Sequence, residues 1–277
     1  MNQLDGSKQR PLTAGDLLSR GPLRRLGGEL FLLDEIDSTN DFLRSRVGQT
    51  TDGAIACAEH QSAGRGRQGR RWDAPRGSSV LLSVLLLESS DSPLLTQAAM
   101  LASLAACEAV ALASTCEPAV RWPNDIVLGG RKLGGVLAES FTLPPAERRA
   151  SLQRALVIGV GINCLQHAGH FQVALAERAT SIDLESQRPV DRAAVAGRLV
   201  ERLDARLAAH AEPDGPARLV STWKSRCIDI GTHAVLRQDA DEFAGTVVDI
   251  DDHGDLIVQL DQGGRRHFAS ATTTRAG

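Results

Sequence analysis

Glu59-His60-Gln61-Ser62-Ala63-Gly64-Arg65-Gly66-Arg67-Gln68-Gly69-Arg70-Arg71-Trp72 decides how this chain is read. A short apolar run, Ala54 to Glu59, leads in and reads as a strand. Val80 to Leu87, nearly all apolar, follows and reads as a buried central strand. The segment between them is too rich in glycine and arginine to be anything but loop. Gly64-x-Gly66-x-x-Gly69 satisfies the dinucleotide-binding pattern, but that pattern must open a helix, and here Trp72-Asp73-Ala74-Pro75 leads into a strand. Four guanidiniums are also foreign to a turn that offers bare backbone to pyrophosphate. Glycines that admit close approach, interleaved with arginines that give bidentate charge, point to a phosphate or carboxylate site.

Outward from this loop the chain reads as α+β. Glu29 to Ile36 is a strand, and Ser38 with Asp41 opens a helix through Val47. Ser92-Pro93 starts an Ala/Leu-rich helix to Ala113. Ala119 to Trp122 is a short strand. A hairpin joins Ile126–Leu128 to Lys132–Ser140 across Gly129-Gly130, and Leu156 to Cys164 forms another strand. Asp191 caps a helix with Val195, Leu199, Leu203 and Leu207 on one face, and a further helix runs from Pro216 to Trp223. After Asp229 the pattern changes to short alternating strands, which read as a small SH3-like β-barrel. The division is therefore 1–28 as an N-terminal extension with one short helix (Thr13–Arg20), 29–228 as the catalytic domain and 229–277 as the C-terminal module.

The 277 residues carry 31 Lys+Arg against 34 Asp+Glu, a net charge of −3, which disfavours a strongly basic nucleic-acid binder. Lysine occurs only at Lys8, Lys132 and Lys224, so 31 − 3 = 28 basic residues are arginine. Five scattered cysteines without C-x-x-C spacing make no disulfide framework or zinc knuckle. The polar N-terminus is no signal peptide, and no apolar stretch reaches the ~18 residues of a membrane span. A cytoplasmic protein with no membrane partner is expected.

Three further segments can carry chemistry. In Arg121-Trp122-Pro123-Asn124-Asp125, Asn124 and Asp125 are either turn residues or oxygen ligands for nucleotide and its Mg²⁺. Lys132, between Gly129-Gly130 and Gly134-Gly135, is either a turn lysine or a point charge where a carboxylate meets a phosphate. Gly159-Val160-Gly161-Ile162-Asn163 packs tightly or admits a ligand. His167-x-x-His170 lacks a third metal ligand.

Taken in order, Asp37-Ser38-Thr39-Asn40, the Glu59–Trp72 segment, Arg121–Ile126, Arg131–Glu139 and Gly159–Asn163 resemble biotin–protein ligases from about residue 30 to 223. The small β-module fits the same family. The resemblance implies a mixed-sheet catalytic domain of the biotin/lipoate ligase type with flanking helices. It implies activation of biotin with ATP and Mg²⁺ to biotinoyl-5'-AMP. Transfer then goes to a lysine of the biotin carboxyl carrier domain of acetyl-CoA carboxylase or a related carboxylase. By that resemblance Ser38, Thr39, Asn40, Gln61, Arg65, Gly66, Arg67, Trp72 and Lys132 line the biotin site. Arg65, Arg67, Arg70, Asn124, Asp125, Lys132 and Asn163 hold the nucleotide. Lys132 and Arg67 act catalytically, and Asp125 touches the Mg²⁺ of Mg-ATP. Gly64 to Trp72 is expected to order as a lid.

Three departures accompany the resemblance. Arg121 stands where lysine is commoner. Ala269-Ser270-Ala271-Thr272-Thr273 lacks an expected glycine. About 30 residues precede the first strand, about half of what a winged helix needs, so no DNA binding is expected. A monomer or homodimer fits. The rivals are a lipoate/octanoate–protein ligase, which shares the catalytic fold, and a ligand-responsive repressor-like binding protein.

Overall fold

The structure, a computed structural model, describes residues 10–149 and 151–275; Lys8 lies outside them. Its centre is β3 (Ser79–Glu88), whose first eight residues are all buried. Ladders on both sides leave it no free edge. β3 pairs antiparallel with β2 (Ala54–Gln61) and over its whole length with β7 (Arg154–Asn163). β1 (Leu30–Ile36) joins β2 in parallel. β6 (Arg131–Thr142), β5 (Asp125–Leu128) and β4 (Ala119–Arg121) extend the other side, giving the order β1-β2-β3-β7-β6-β5-β4. The sheet is thus mixed, as expected, and the predicted hairpin at Gly129-Gly130 forms with both glycines at positive φ.

One face carries the helical layer. α3 (Leu94–Ala113) lies against β6 and β7 and packs on α5 (Arg192–His210) and α6 (Gly215–Arg226). By length and mean hydropathy (1.5) α3 could cross a membrane, but 72% of that window is buried inside the fold. It is a core helix, kept in place by Leu101, Leu104 and Val110 and by the bond from Trp223 Nε1–H to Ser103 Oγ (2.9 Å). Pro93, not Ser92, caps it, although Ser92 Oγ still accepts from Leu94 N–H (3.3 Å).

α1 (Ala14–Leu18) and the chain after it are tied to α5 by buried charge. Asp204 accepts three consecutive backbone N–H groups, from Arg24, Arg25 and Leu26 (2.8–2.9 Å). Arg192, only 2% exposed in its side chain, pairs with Glu59 at 2.7 Å and also donates to the carbonyls of Ser79 and Arg10. Glu59 in turn accepts from Leu12 N–H (2.7 Å).

The opposite face is covered at one end by α2 (Thr39–Ser45), with Leu43 packed on Ala54, Leu85 and Val157. Only half of the predicted capping box forms: Ser38 Oγ accepts from Asp41 N–H (3.4 Å), and the Asp41 carboxylate turns elsewhere.

The C-terminal module is a five-stranded antiparallel sheet of order β11-β10-β9-β8-β12. Its strands are β8 (His233–Gln238), β9 (Asp241–Ile250), β10 (Leu256–Leu260), β11 (Arg265–Phe268) and β12 (Thr273–Arg275). It is bonded directly to the catalytic domain. Trp122 donates its Nε1–H to the Gly254 carbonyl (2.9 Å) and its backbone N–H to Asp229 (2.6 Å). Gln97 donates to the Asp252 carbonyl (2.8 Å). Two elements escaped the sequence reading: β12, and α4 (Ile182–Glu185), which is a single turn.

Removing one member of a buried ion pair strands the other charge, at about 3–5 kcal/mol. Arg192→Ala is therefore expected to lose about that much stability by urea denaturation, and an unchanged midpoint would refute the clamp. Burial also pushes the thiols of Cys57, Cys107 and Cys164 up to about 12. Native protein at pH 8 is expected to leave all three unalkylated, with labelling appearing only on unfolding.

Candidate functional site

The site lies on the sheet face away from α3. Residues directly opposite in antiparallel ladders share a face. One row across the sheet is Ala56, Ser83, Gly159 and Leu137; the next is Ala58, Leu81, Gly161 and Gly135. Alanine, serine and glycine leave a shallow floor there. What stands above it is set by the glycines of β7. A Cβ on Gly159 would lie 2.2 Å from Asn40 Oδ1, and one on Gly161 would lie 2.7 Å from the Trp72 ring. Asn40 and Trp72 thus rest on bare backbone, about 7 Å apart along the strand at ~3.3 Å per residue.

At the Asn40 end a polar network is assembled from four elements. Thr39 donates its backbone N–H (2.7 Å) to Gln61 Oε1, and its hydroxyl lies 3.0 Å from the same oxygen and 2.7 Å from Ser83 Oγ. Ser83 donates to Asn40 Oδ1 (2.7 Å). Asn40 Nδ2 donates to the Leu137 carbonyl (3.1 Å) and to Glu139 (2.9 Å). Ser38, Thr39 and Asn40 are all buried.

The Gly/Arg loop is folded on itself. Trp72 N–H donates to the Gly64 carbonyl (2.9 Å) and Gly66 N–H to the Arg70 carbonyl (2.7 Å). A Cβ on Gly64 would meet the Trp72 carbonyl at 2.4 Å, so only glycine closes this hairpin. Gly66 therefore spends its N–H inside the loop and leaves none for an anion.

Arg65 is held by carboxylates. Its terminal nitrogens donate to Glu139 (2.9 and 2.6 Å) and to Asp41 (2.8 Å). Hydrogen bonds donated to Glu139, opposed by burial, raise the Arg65 pKa. Burial would raise Glu139, but bonds from Arg65 and Asn40 outweigh it and keep this carboxyl below its ordinary range. Arg65 Nε and Trp72 Nε1 are buried and have no hydrogen-bond partner among the described residues.

The second cationic centre is Lys132. Its ammonium bonds Asp125 (2.5 Å) and lies 6.0 Å from the Trp72 ring centroid. Arg67 reaches towards Asn124 Oδ1 (3.5 Å) and donates to the Ser270 carbonyl of the C-terminal module. Burial pulls its pKa down, against the attraction of Asp125, and Arg70 adds to the lowering. Asn124 is itself fixed by its amide bond to the Val136 carbonyl. Arg70 is exposed, with no side-chain partner among the described residues.

The geometry gathers Ser38, Thr39, Asn40, Gln61, Arg65, Trp72, Asn124, Asp125 and Lys132 around one face, with Arg67 bridging to the module. It separates Asn163 from them in role. That side chain is buried, donating to the Thr180 carbonyl (3.0 Å) and accepting from Gln166 (2.9 Å), so it braces the end of β7. Sequence reasoning missed Asp41, Ser83, Glu139 and Ser270. The missed carboxylates matter: Arg65, Arg67, Arg70 and Lys132 against Asp41, Asp125 and Glu139 make 4 − 3 = +1, a nearly neutral site rather than a bare cationic hand. Among the described residues no three His, Cys, Asp or Glu side chains converge as a metal site.

An open sheet face with paired cations, a stacked indole and an appended β-module defines a ligase that gathers anionic small molecules. The biotin/lipoate A/B protein ligase family matches residues 32–163, and the biotin protein ligase C terminal domain matches residues 231–272. A biotin--[acetyl-CoA-carboxylase] ligase of Mycobacterium tuberculosis is 33% identical over 88% of this chain and 87% of its own length. One from Paracoccus denitrificans is 31% identical over 82% and 93%. The biotin protein ligase of Aquifex aeolicus, solved with biotin and ATP, shares the fold at TM-score 0.73 and 22% identity, covering 90% of this chain and 99% of that one. The chain belongs to the biotin protein ligases of this family.

Trp122 and Trp223 are buried, whereas Trp72 is half-buried and rests on Gly161. Gly161→Ala is expected to lift the Trp72 indole and raise acrylamide quenching of tryptophan fluorescence. Unchanged quenching would show that Trp72 does not lie on the strand.

Proposed function

We propose that the chain activates biotin with ATP to biotinoyl-5'-AMP and transfers biotin to a lysine of a biotin carboxyl carrier domain. The acceptor is acetyl-CoA carboxylase or a related carboxylase. The observation that carries this reading is the glycine-floored face with a hydrogen-bonding network and Arg65 around Asn40 at one end and Lys132, Asp125 and Arg67 at the other. A uncharged ureido ring needs donors and acceptors, which the Thr39–Ser83–Asn40 network offers. A carboxylate and a phosphate need cations, which the other end offers.

In the first step a biotin carboxylate oxygen attacks the α-phosphorus of ATP and pyrophosphate leaves. Two anions 4 Å apart repel by roughly 4 kcal/mol at an effective dielectric of 20. Lys132 is the group placed to offset that repulsion, as a compact charge beside the indole. To do so its ammonium turns from Asp125 or shares it. In the second step the acceptor lysine nitrogen attacks the acyl carbon, AMP leaves, and the amine proton passes to solvent. Trp72 covers the ligand's apolar body, and Arg67 and Arg70 take the phosphates. Mg²⁺ would arrive with the nucleotide phosphates and offset their charge; Asp125, the one carboxylate bonded to Lys132 among the described residues, is the residue that would hold it. The domain division at 28/29 and 228/229 and a cytoplasmic location belong to the same proposal.

Pyrophosphate exchange into ATP is expected to require biotin. Losing a fixed transition-state charge costs about 10²–10³ in rate, so Lys132→Ala is expected to fall by at least 10². Exchange driven by lipoate instead would move the chain to the sister activity, and no exchange with either acid would refute the proposal.

A further inference from the structure

Glu139 is a charged residue on a sheet face otherwise floored by alanine, serine, glycine and leucine. It touches both the Asn40 network and Arg65. One carboxylate oxygen, Oε2, takes Asn40 Nδ2–H (2.9 Å) and an Arg65 terminal nitrogen (2.6 Å), while Oε1 takes the other terminal nitrogen (2.9 Å). Each contact removes a freedom. An asparagine amide has two donor hydrogens and two acceptor lone pairs. Asn40 gives both hydrogens to Leu137 and Glu139 and accepts from Ser83, so only one lone pair of Oδ1 is left. Asn40 therefore meets a ligand as an acceptor.

Arg65 is restricted in the same way. Glu139 and Asp41 occupy its two terminal nitrogens from two directions. Three of its five N–H groups are so used; one terminal N–H is left, and so is Nε–H, which is buried and, like Trp72 Nε1–H, has no partner among the described residues. Buried donors in native proteins are nearly always paired, and an unpaired one marks the position of an acceptor. A guanidinium free to rotate would offer its terminal bidentate edge to any anion; here that edge is already taken by Glu139.

We propose that Glu139 is a positioning residue. It fixes Asn40 as an acceptor and pins Arg65 beside it, so that the Asn40 end of the site meets a ligand with one fixed acceptor, Asn40 Oδ1, next to one buried donor, Arg65 Nε–H. This rests on the biotin reading for the identity of the ligand. Asp41 assists from the surface, and no chemistry passes through either carboxylate.

The test is Glu139→Gln, which keeps size and one acceptor oxygen but loses the charge, compared with Arg65→Ala and the double variant. In biotin-dependent exchange Glu139→Gln is expected to raise KM for biotin about tenfold while KM for ATP stays within about twofold, and the double variant is expected to be no worse than Arg65→Ala. A merely structural role would move both KM values together and make the two losses multiply. A second readout needs no activity. The ¹⁵N signal of Arg65 Nε–H, identified by its loss in Arg65→Lys, is expected to be protected from solvent exchange in ligand-free protein and to lose that protection in Glu139→Gln. Wild-type kinetics in the variant, or an Nε–H signal indifferent to it, would overturn the proposal. Absent exchange in wild type with a protected, Glu139-dependent signal would instead count against the biotin reading alone.

Discussion

Two missing side chains on β7 set the geometry above the sheet. With any side chain at Gly159 or Gly161, Asn40 and Trp72 could not occupy their places, since a Cβ would sit 2.2 or 2.7 Å from them. Glycine weakens a strand, both through backbone entropy and through packing it does not supply. That weakness is offset by ladders on both sides of β7 and by α3 packed beneath the sheet. The helical layer on one face is what allows the other to be bare.

The second constraint is electrostatic. Cations strong enough to gather two anions are costly to hold near one another in a partly dry site. Here each is given a counter-charge or a carbonyl: Arg65 on Glu139 and Asp41, Lys132 on Asp125, Arg67 on Ser270. Binding is then an exchange of partners rather than the filling of an empty cationic pocket. Specificity lies in which donors are left over. Arg67 also connects the loop to the C-terminal module, whose turn at Gly254 is bonded to Trp122 of the Arg121–Asp125 segment. The module is thus in contact with two site segments, with Arg67 through Ser270, in the stretch Ala269–Thr273 where the chain departs from the commoner pattern, and with Trp122 through Gly254.

Most of the fold was legible because its strands are long apolar runs and its helices have capped, periodic faces. α4 was not, being one turn, nor was β12, whose Thr-Thr-Arg carries no apolar alternation. Within the site, the loop and Lys132 were legible as residue types out of place, and Asn40 through the family resemblance alone. Their partners were not. Asp41 looked like the second arm of a capping box, because helix starts favour acids for local reasons as well. Ser83 did leave a trace, as a polar residue inside the apolar Ser79–Glu88, and so did Glu139 in Leu133–Glu139. Asn163 misled in the other direction: a polar strand end next to glycines looks like a ligand group whether it faces a ligand or braces a turn.

The account's central claim is that the ligand lies on the face cleared by Gly159 and Gly161. A crystal structure of the chain with biotin and ATP tests it most directly. The account predicts the biotin ring over Ser83 and Gly159 beside Asn40, with the carboxylate at Lys132 and the indole of Trp72 along the valeryl chain. Density for biotin elsewhere would contradict it, for example in the cleft of about 300 Å³ lined by Leu23, Arg24, Glu201 and Asp204.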